Sequence, residues 1–192
     1  MGNKPQKQKV EHTKIIFIDV DGVLNNTSSD VSQLYVIEPL LLKLFYDFYK
    51  DINGIIVMSS TWRYTQTTRN KFLEKLNENH MNCQIYSYTP NFDTNRVEEI
   101  LAWLLENTTY FDDNKEVCKH ILPLDHSKYP DEFPLHLIKM NKKLTIENFI
   151  IFDDLDLRKE SSFTHLIENH FIHVDKKTGL TLDDIKNAKK LI

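Results

Sequence analysis

Residues 14–19, KIIFID, form an apolar run that stops on an acid, and similar runs recur at 54–58 (GIIVM) and 148–152 (NFIIF). Short runs without polar alternation are the mark of strands buried on both faces, which occur in parallel sheets covered by helices. Helical patterns separate them. In VIEPLLLKLFYDFYK the stripe Ile37, Leu40, Leu41, Leu44, Phe45 and Phe48 predicts an amphipathic helix, with Pro39 tolerated in its first turn. A second helix is expected over 65–79 with Phe72, Leu73 and Leu76 inward, a weaker strand over 83–88, and a third helix over 96–106. After the run at 148–152 come a short helix near 162–169 and a strand at 170–174. Gly179 then breaks the chain before a closing helix at 181–191, whose first turn holds Asp183 and Asp184 and whose last turn holds lysines, as the helix dipole favours. Strands alternating with helices predict an α/β protein: a parallel sheet of about five strands with helices on both faces.

A chain of 192 residues is long enough for one domain with a real core. Residues 1–12 read as a disordered N-terminal arm and 13–192 as the domain. Some forty residues with three prolines, about 107–147, are too many for a plain αβ connection and read as an insertion. Net charge is −4, so no global field draws the chain to nucleic acid or an anionic membrane. The two cysteines, Cys83 and Cys118, lack metal-type spacing and fit a reducing compartment. No signal peptide and no membrane-spanning run is visible, so the expected location is the cytoplasm and the expected state a monomer.

In open α/β sheets ligands bind at the carboxyl ends of the strands. Three of the buried runs end there on reactive side chains: Asp19 and Asp21, then Ser59, Ser60 and Thr61, then Asp153 and Asp154. Acids packed so tightly raise one another's pKa and strain the fold unless a cation neutralises them. Oxygen-only ligands at this charge density suit Mg²⁺, which is commonly held by one or two carboxylates together with a phosphate.

IIFIDVDGVLN resembles the first motif of the haloacid-dehalogenase (HAD) superfamily of phosphohydrolases, an apolar strand followed by DxDGxL/T. IIVMSSTWR is similar to the second motif and NFIIFDDLD to the fourth. A finer likeness is to small capless HAD domains grouped with RNA-repair proteins, and the chain is also similar to some bacterial HAD phosphatases. The resemblance implies a Rossmann-like sheet ordered 5-4-1-2-3. It implies Asp19 as a nucleophile forming an aspartyl-phosphate, and Asp21 as the acid and base for the leaving oxygen and the attacking water. It implies a Mg²⁺ held by Asp19, Asp153, Asp154 and Asp21, the last through its backbone carbonyl. Ser59 would donate to a phosphoryl oxygen, with Ser60 as the substitute. An acid two residues after the nucleophile separates HAD phosphatases from dehalogenases. The third motif supplies a basic residue; Arg96 is the first choice, at a helix N-terminus, and Lys142 and Lys143 are the alternatives.

Plainer explanations exist for several of these residues. Asp183-Asp184 reads as helix capping, and SSTWR as an N-cap, a geometry that also suits phosphate. Trp62 and Trp103 read as core, and Arg63 as a solvated first-turn residue. Between Asp21 and Ser59 there is room for one loop and one helix and for no cap domain, so an open cleft is expected, shielded by the 25–35 loop and the insertion. Such a cleft favours a phosphate displayed on a macromolecule. The acidic balance favours a phosphoprotein, phosphotyrosine included, as the partner; a polynucleotide end is the alternative, and an inactive binding scaffold a second. The decisive expectation is geometric: the side chains of Asp19, Asp21 and Asp153 meet around one Mg²⁺ and are not already neutralised by Lys or Arg.

Overall fold

The computed structural model describes residues 13–26, 36–92, 95–112 and 143–192. The expected N-terminal arm, most of the 25–35 loop, the body of the insertion, Cys118 and Lys142 lie outside the described residues.

Five strands form one parallel sheet: β1 (Thr13–Ile18), β2 (Ile55–Met58), β3 (Ile85–Tyr88), β4 (Ile146–Asp153) and β5 (Phe171–His173). Their spatial order is β3-β2-β1-β4-β5, the expected 5-4-1-2-3 read from the other edge. The strands carry no exposed polar face because both faces are covered. Ile16, Ile18, Ile56, Met58, Ile150 and Phe152 pack under α1 (Pro39–Ile52), α2 (Gln66–Glu78) and the closing helix α4 (Leu182–Leu191). Alternate residues, Ile15, Phe17, Val57, Phe149 and Ile151, pack against α3 (Arg96–Asn107). On that face the Phe17 ring meets Trp103 edge-on at 5.5 Å, and Trp103 Nε1–H donates to the buried Ser87 hydroxyl at 2.9 Å.

Three local expectations shift. Leu40 is 70% exposed. The inward arc of α1 is Leu41, Leu42, Phe45 and Phe48, because at about 100° per residue Leu40 falls off its edge. On α2 Phe72 and Leu76 are buried but Leu73 is not. The arc there is completed by Arg69, whose Nη1 donates to the Arg63 carbonyl at 2.6 Å. No α-helix forms over 162–169. Single 3-10 turns at Leu157–Lys159, Thr164–Leu166 and Glu168–His170 replace it. The Thr164 hydroxyl donates to the Ser161 and Leu157 carbonyls, offering the backbone a local alternative to a helical ladder.

Helix ends follow their residues. Asn53, at φ 50, ends α1 in the left-handed conformation. Of the Asp183-Asp184 pair, Asp184 caps: Thr181 Oγ1 accepts from Asp184 N–H while Asp184 Oδ2 accepts from Thr181 N–H, a complete capping box, and Asp183 pairs with Lys186. Thr181→Ala removes that cap and is expected to lower stability by about 1 kcal/mol. Urea denaturation reads this as a lower midpoint at unchanged slope; an unchanged midpoint would show that α4 needs no cap.

Candidate active site

The site grows out of the strand register. β1 pairs with β2 through Ile18 and Met58, with β4 through Ile18 and Phe152, and β2 pairs with β3 through Met58 and Tyr88. The ladder runs one residue further: Asp19 N–H donates to Phe152 O at 3.0 Å, Ser59 N–H to Ile18 O at 3.0 Å and Thr89 N–H to Met58 O at 3.1 Å. Thr89, Ser59, Asp19 and Asp153 therefore stand in one row across four strands. Side chains alternate along a strand, so Asp19 shares the face of Phe17, the face covered by α3.

Carboxyl oxygens of Asp19, Asp153 and Asp154 all lie within 4.8 Å of one another. Asp19 is 6% exposed and Asp153 is fully buried. Asp19 Oδ1 accepts from Val20 N–H at 2.8 Å, and Asp153 Oδ1 from Leu155 N–H at 3.0 Å. Arg96, the first residue of α3, reaches into this cluster. Its Nη1 donates to Asp153 Oδ2 at 2.8 Å and stands 3.8 Å from Asp19 Oδ2. Lys143 stays at the surface and pairs with Asp112.

The expectation about Asp21 needs correcting. Its carboxylate does not join the cluster; Asp154 does. Trp62 Nε1–H donates to Asp21 Oδ2 at 3.0 Å, and the Asn25 amide donates to Asp21 Oδ1 at 3.0 Å while its oxygen accepts from Gly22 N–H at 2.7 Å. The reason is the turn at Gly22, where φ is 74 and a Cβ would stand 2.6 Å from the Asp154 carboxyl. Only glycine lets the chain turn there with Asp154 packed against it. The cluster is also not free of basic groups, since Arg96 pairs with Asp153. One guanidinium against three carboxyl groups nevertheless leaves it acid-rich.

Energetics mirror the crowding. Burial first, then neighbouring Asp19, pushes the Asp153 carboxyl up to about 8, with Arg96 opposing. Burial and then Asp19 push Asp154 up to about 6. Arg96 loses solvation, but Asp153, Asp19 and Glu99 together raise it above its ordinary value. Three converging carboxyl groups, two of them held from ionising freely, fit a hard divalent cation such as Mg²⁺.

The two serines divide. Ser60 Oγ accepts from Trp62 N–H at 3.3 Å and caps the 3-10 turn Thr61–Tyr64. Ser59 is fully buried and its hydroxyl has no partner among the described residues, as is true of Thr89. A buried hydroxyl without a partner is costly, and a ligand oxygen would complete it.

Several neighbours carry no obvious sequence signal. Arg63 is wholly buried: Nε donates to Thr89 O at 3.0 Å, and Nη1 to Ser59 O at 2.6 Å and Ser60 O at 2.8 Å. The solvated role expected for it is wrong, because the turn after β2 folds its side chain under the strand ends. Trp62 is core, as expected, yet its ring nitrogen also holds Asp21. Glu99 alone was visible in principle, three residues from Arg96 on one helix face.

The family model described as HAD domain in Swiss Army Knife RNA repair proteins matches residues 15–185. Comparisons with curated proteins and with solved structures give no match. Among the described residues no helix is long and apolar enough to cross a membrane.

The raised carboxyls make stability depend on pH. Asp153 and Asp154 hold protons more tightly folded than unfolded, where both titrate near 3.8. Their contribution is present below that value and is lost as pH climbs through about 6 and about 8. Without divalent cation the Tm is expected to fall from pH 5 to pH 8, and Mg²⁺ to raise it more at pH 8 than at pH 5. Thermal unfolding across that range checks this; a Tm that rises with pH would contradict it.

Proposed function

The chain belongs to the family of HAD domains in Swiss Army Knife RNA repair proteins, and from that premise we propose that it is a Mg²⁺-dependent phosphomonoester hydrolase acting on phosphorylated RNA ends. The observation that carries this reading is the convergence of Asp19, Asp153 and Asp154 within 4.8 Å, beside the unpartnered Ser59 hydroxyl.

Asp19 attacks phosphorus, the bond to the leaving oxygen breaks, and Asp21 gives that oxygen its proton. The resulting aspartyl-phosphate is then cleaved by a water that Asp21 deprotonates, which frees Asp19. Trp62 and Asn25 hold Asp21 by both oxygens, fixing the carboxyl that moves the protons. Ser59 donates its hydroxyl to a phosphoryl oxygen, and Arg96 steadies Asp19 and the charge that develops. Asp19, Asp153 and Asp154, with the Asp21 backbone carbonyl, would hold the Mg²⁺, which supplies charge neutralisation for an anion approaching an anion.

RNA ends are favoured because the family is one of RNA-repair proteins and because the segment from Asp21 to Ser59 has room for α1 and a loop, too little for a folded cap. A segment too short for a folded cap suits a phosphate carried on a large molecule. The net charge of −4 favours the second reading, a phosphoprotein, phosphotyrosine included. Phosphate release from 3′- and 5′-phosphorylated oligoribonucleotides, phosphopeptides and an aryl phosphate, each with Mg²⁺, decides between them. The expected order puts an RNA end first, with release abolished in Asp19→Asn. Faster release from phosphopeptides would transfer the activity to proteins, and none from any substrate between pH 5 and 8 would leave an inactive scaffold.

Trp62→Phe keeps the buried ring but removes one donor to Asp21. It is expected to lower kcat roughly tenfold with little change in KM. Steady-state kinetics on the best substrate check this, and an unchanged kcat would mean Asp21 does not depend on the indole.

A further inference from the structure

Arg96 is held at two points. Its Nη1 leans on Asp153, and its Nε faces Glu99 Oε2 at 3.4 Å. Glu99 is itself fixed: Oε2 pairs with Arg63 Nη2 at 2.7 Å, and Oε1 accepts from Phe92 N–H at 3.0 Å. Glu99 is 3% exposed and Arg63 fully buried, so the pair sits where desolvation offsets much of its attraction. An ion pair in such a place is poor evidence for stability. It does fix geometry, because Arg63 is also bonded to the carbonyls of Ser59, Ser60, Thr89 and Pro90, the chain leaving β2 and β3. Glu99 is thereby referenced to the sheet edge that carries Ser59 and not only to its own helix.

The consequence concerns the cation. Asp153, whose Oδ2 already accepts from Arg96, belongs to the carboxyl cluster that fits a divalent ion. Guanidinium and cation are rivals for that carboxylate. How firmly Arg96 competes depends on how much of its charge is satisfied on the far side, by Glu99. We propose that Glu99 is a positioning residue that holds Arg96 by Nε, seated by Arg63 and the Phe92 amide, and so limits its competition with the divalent cation for Asp153. This rests on the cation-site reading above.

With the Glu99 charge removed, Arg96 keeps Asp153 and Asp19 as its ion-pair partners, with Glu160 nearby, and holds Asp153 more tightly. In the full chain Glu99→Gln is expected to raise the Mn²⁺ dissociation constant on the order of tenfold, measured by calorimetry and by electron paramagnetic resonance without substrate. Arg96→Met is expected to lower it. The decisive comparison is the double variant. If Glu99 acts through Arg96, Glu99→Gln changes Mn²⁺ affinity less than about twofold once Arg96 is Met. An undiminished effect in that background means Glu99 acts only as a distant charge and overturns the proposal, as does wild-type affinity in Glu99→Gln itself. Failure of the unaltered chain to bind Mn²⁺ overturns the cation site and this proposal together. Should Glu99→Gln not fold, Arg63→Met/Glu99→Gln removes both buried charges at once, with the same expected loss and the same dependence on Arg96.

Discussion

Three carboxyl groups forced together at the edge of a buried sheet, against one guanidinium, are the constraint that organises this protein. Parallel pairing of β1 with β4 sets their strand ends side by side, at the usual spacing of about 4.8 Å. Asp19 and Asp153 cannot separate without breaking that register. Nothing in the core benefits from the crowding: burial alone works against ionisation of Asp153 and Asp154. The hydrophobic clusters on the two faces, with Phe17, Trp103 and Phe149 on one and Phe45, Phe48 and Phe152 on the other, hold the strands in place while their ends repel. The fold thus keeps an acid-rich cluster that could hold a metal ion.

The polar framework around the acids has a division of labour. Residues after β2 serve both sides of the site: Trp62 reaches Asp21 while Arg63 ties together the carbonyls that follow β2 and β3. Helix α3 brings Arg96 and Glu99 from beneath, three residues apart, so that one turn of helix presents a cation to the acids and an anion to Arg63. Burying two arginines costs solvation. Burial pulls Arg63 below its ordinary value with Glu99 opposing, whereas the surplus of acids keeps Arg96 above its own.

Much of this was legible in the residues. Apolar runs marked the strands, since a run with no polar alternation has few alternatives, while their order came from the family resemblance; the acids ending those runs lie at the sheet edge where Asp19, Asp153 and Asp154 converge. Arg96, preferred in sequence because a helix N-terminus points at the strand ends, lies against Asp153 and Asp19, whereas Lys143 beside β4 turns to solvent and meets Asp112. What stayed hidden depends on turns. Arg63 and Trp62 lie in a single 3-10 turn whose direction no periodicity encodes, so a residue read as solvated is wholly buried. Leu40 and Leu73 show the same limit on a smaller scale: an apolar residue one step off the arc is not distinguished by composition. The region over 162–169 has helical residues, but a threonine hydroxyl decides the local bonding.

The separation of Asp19 from Asp21 gives the DVDG spacing its physical meaning. Two carboxyls in one short motif can do different chemistry only if they do not share an environment. The strand places Asp19 on the α3 face among buried acids, and the chain then leaves the sheet. Val20 is buried, and at Gly22 the backbone passes through φ 74, where a side chain would strike Asp154. The Asp21 oxygens meet neutral N–H donors from Trp62 and Asn25 and are not among the clustered carboxyl oxygens. A residue without a Cβ at 22 is what lets Asp154 join the acids and Asp21 stay out of them. Asp19 and Asp21 thus stand two residues apart in different surroundings, and the turn that follows them is written as a glycine.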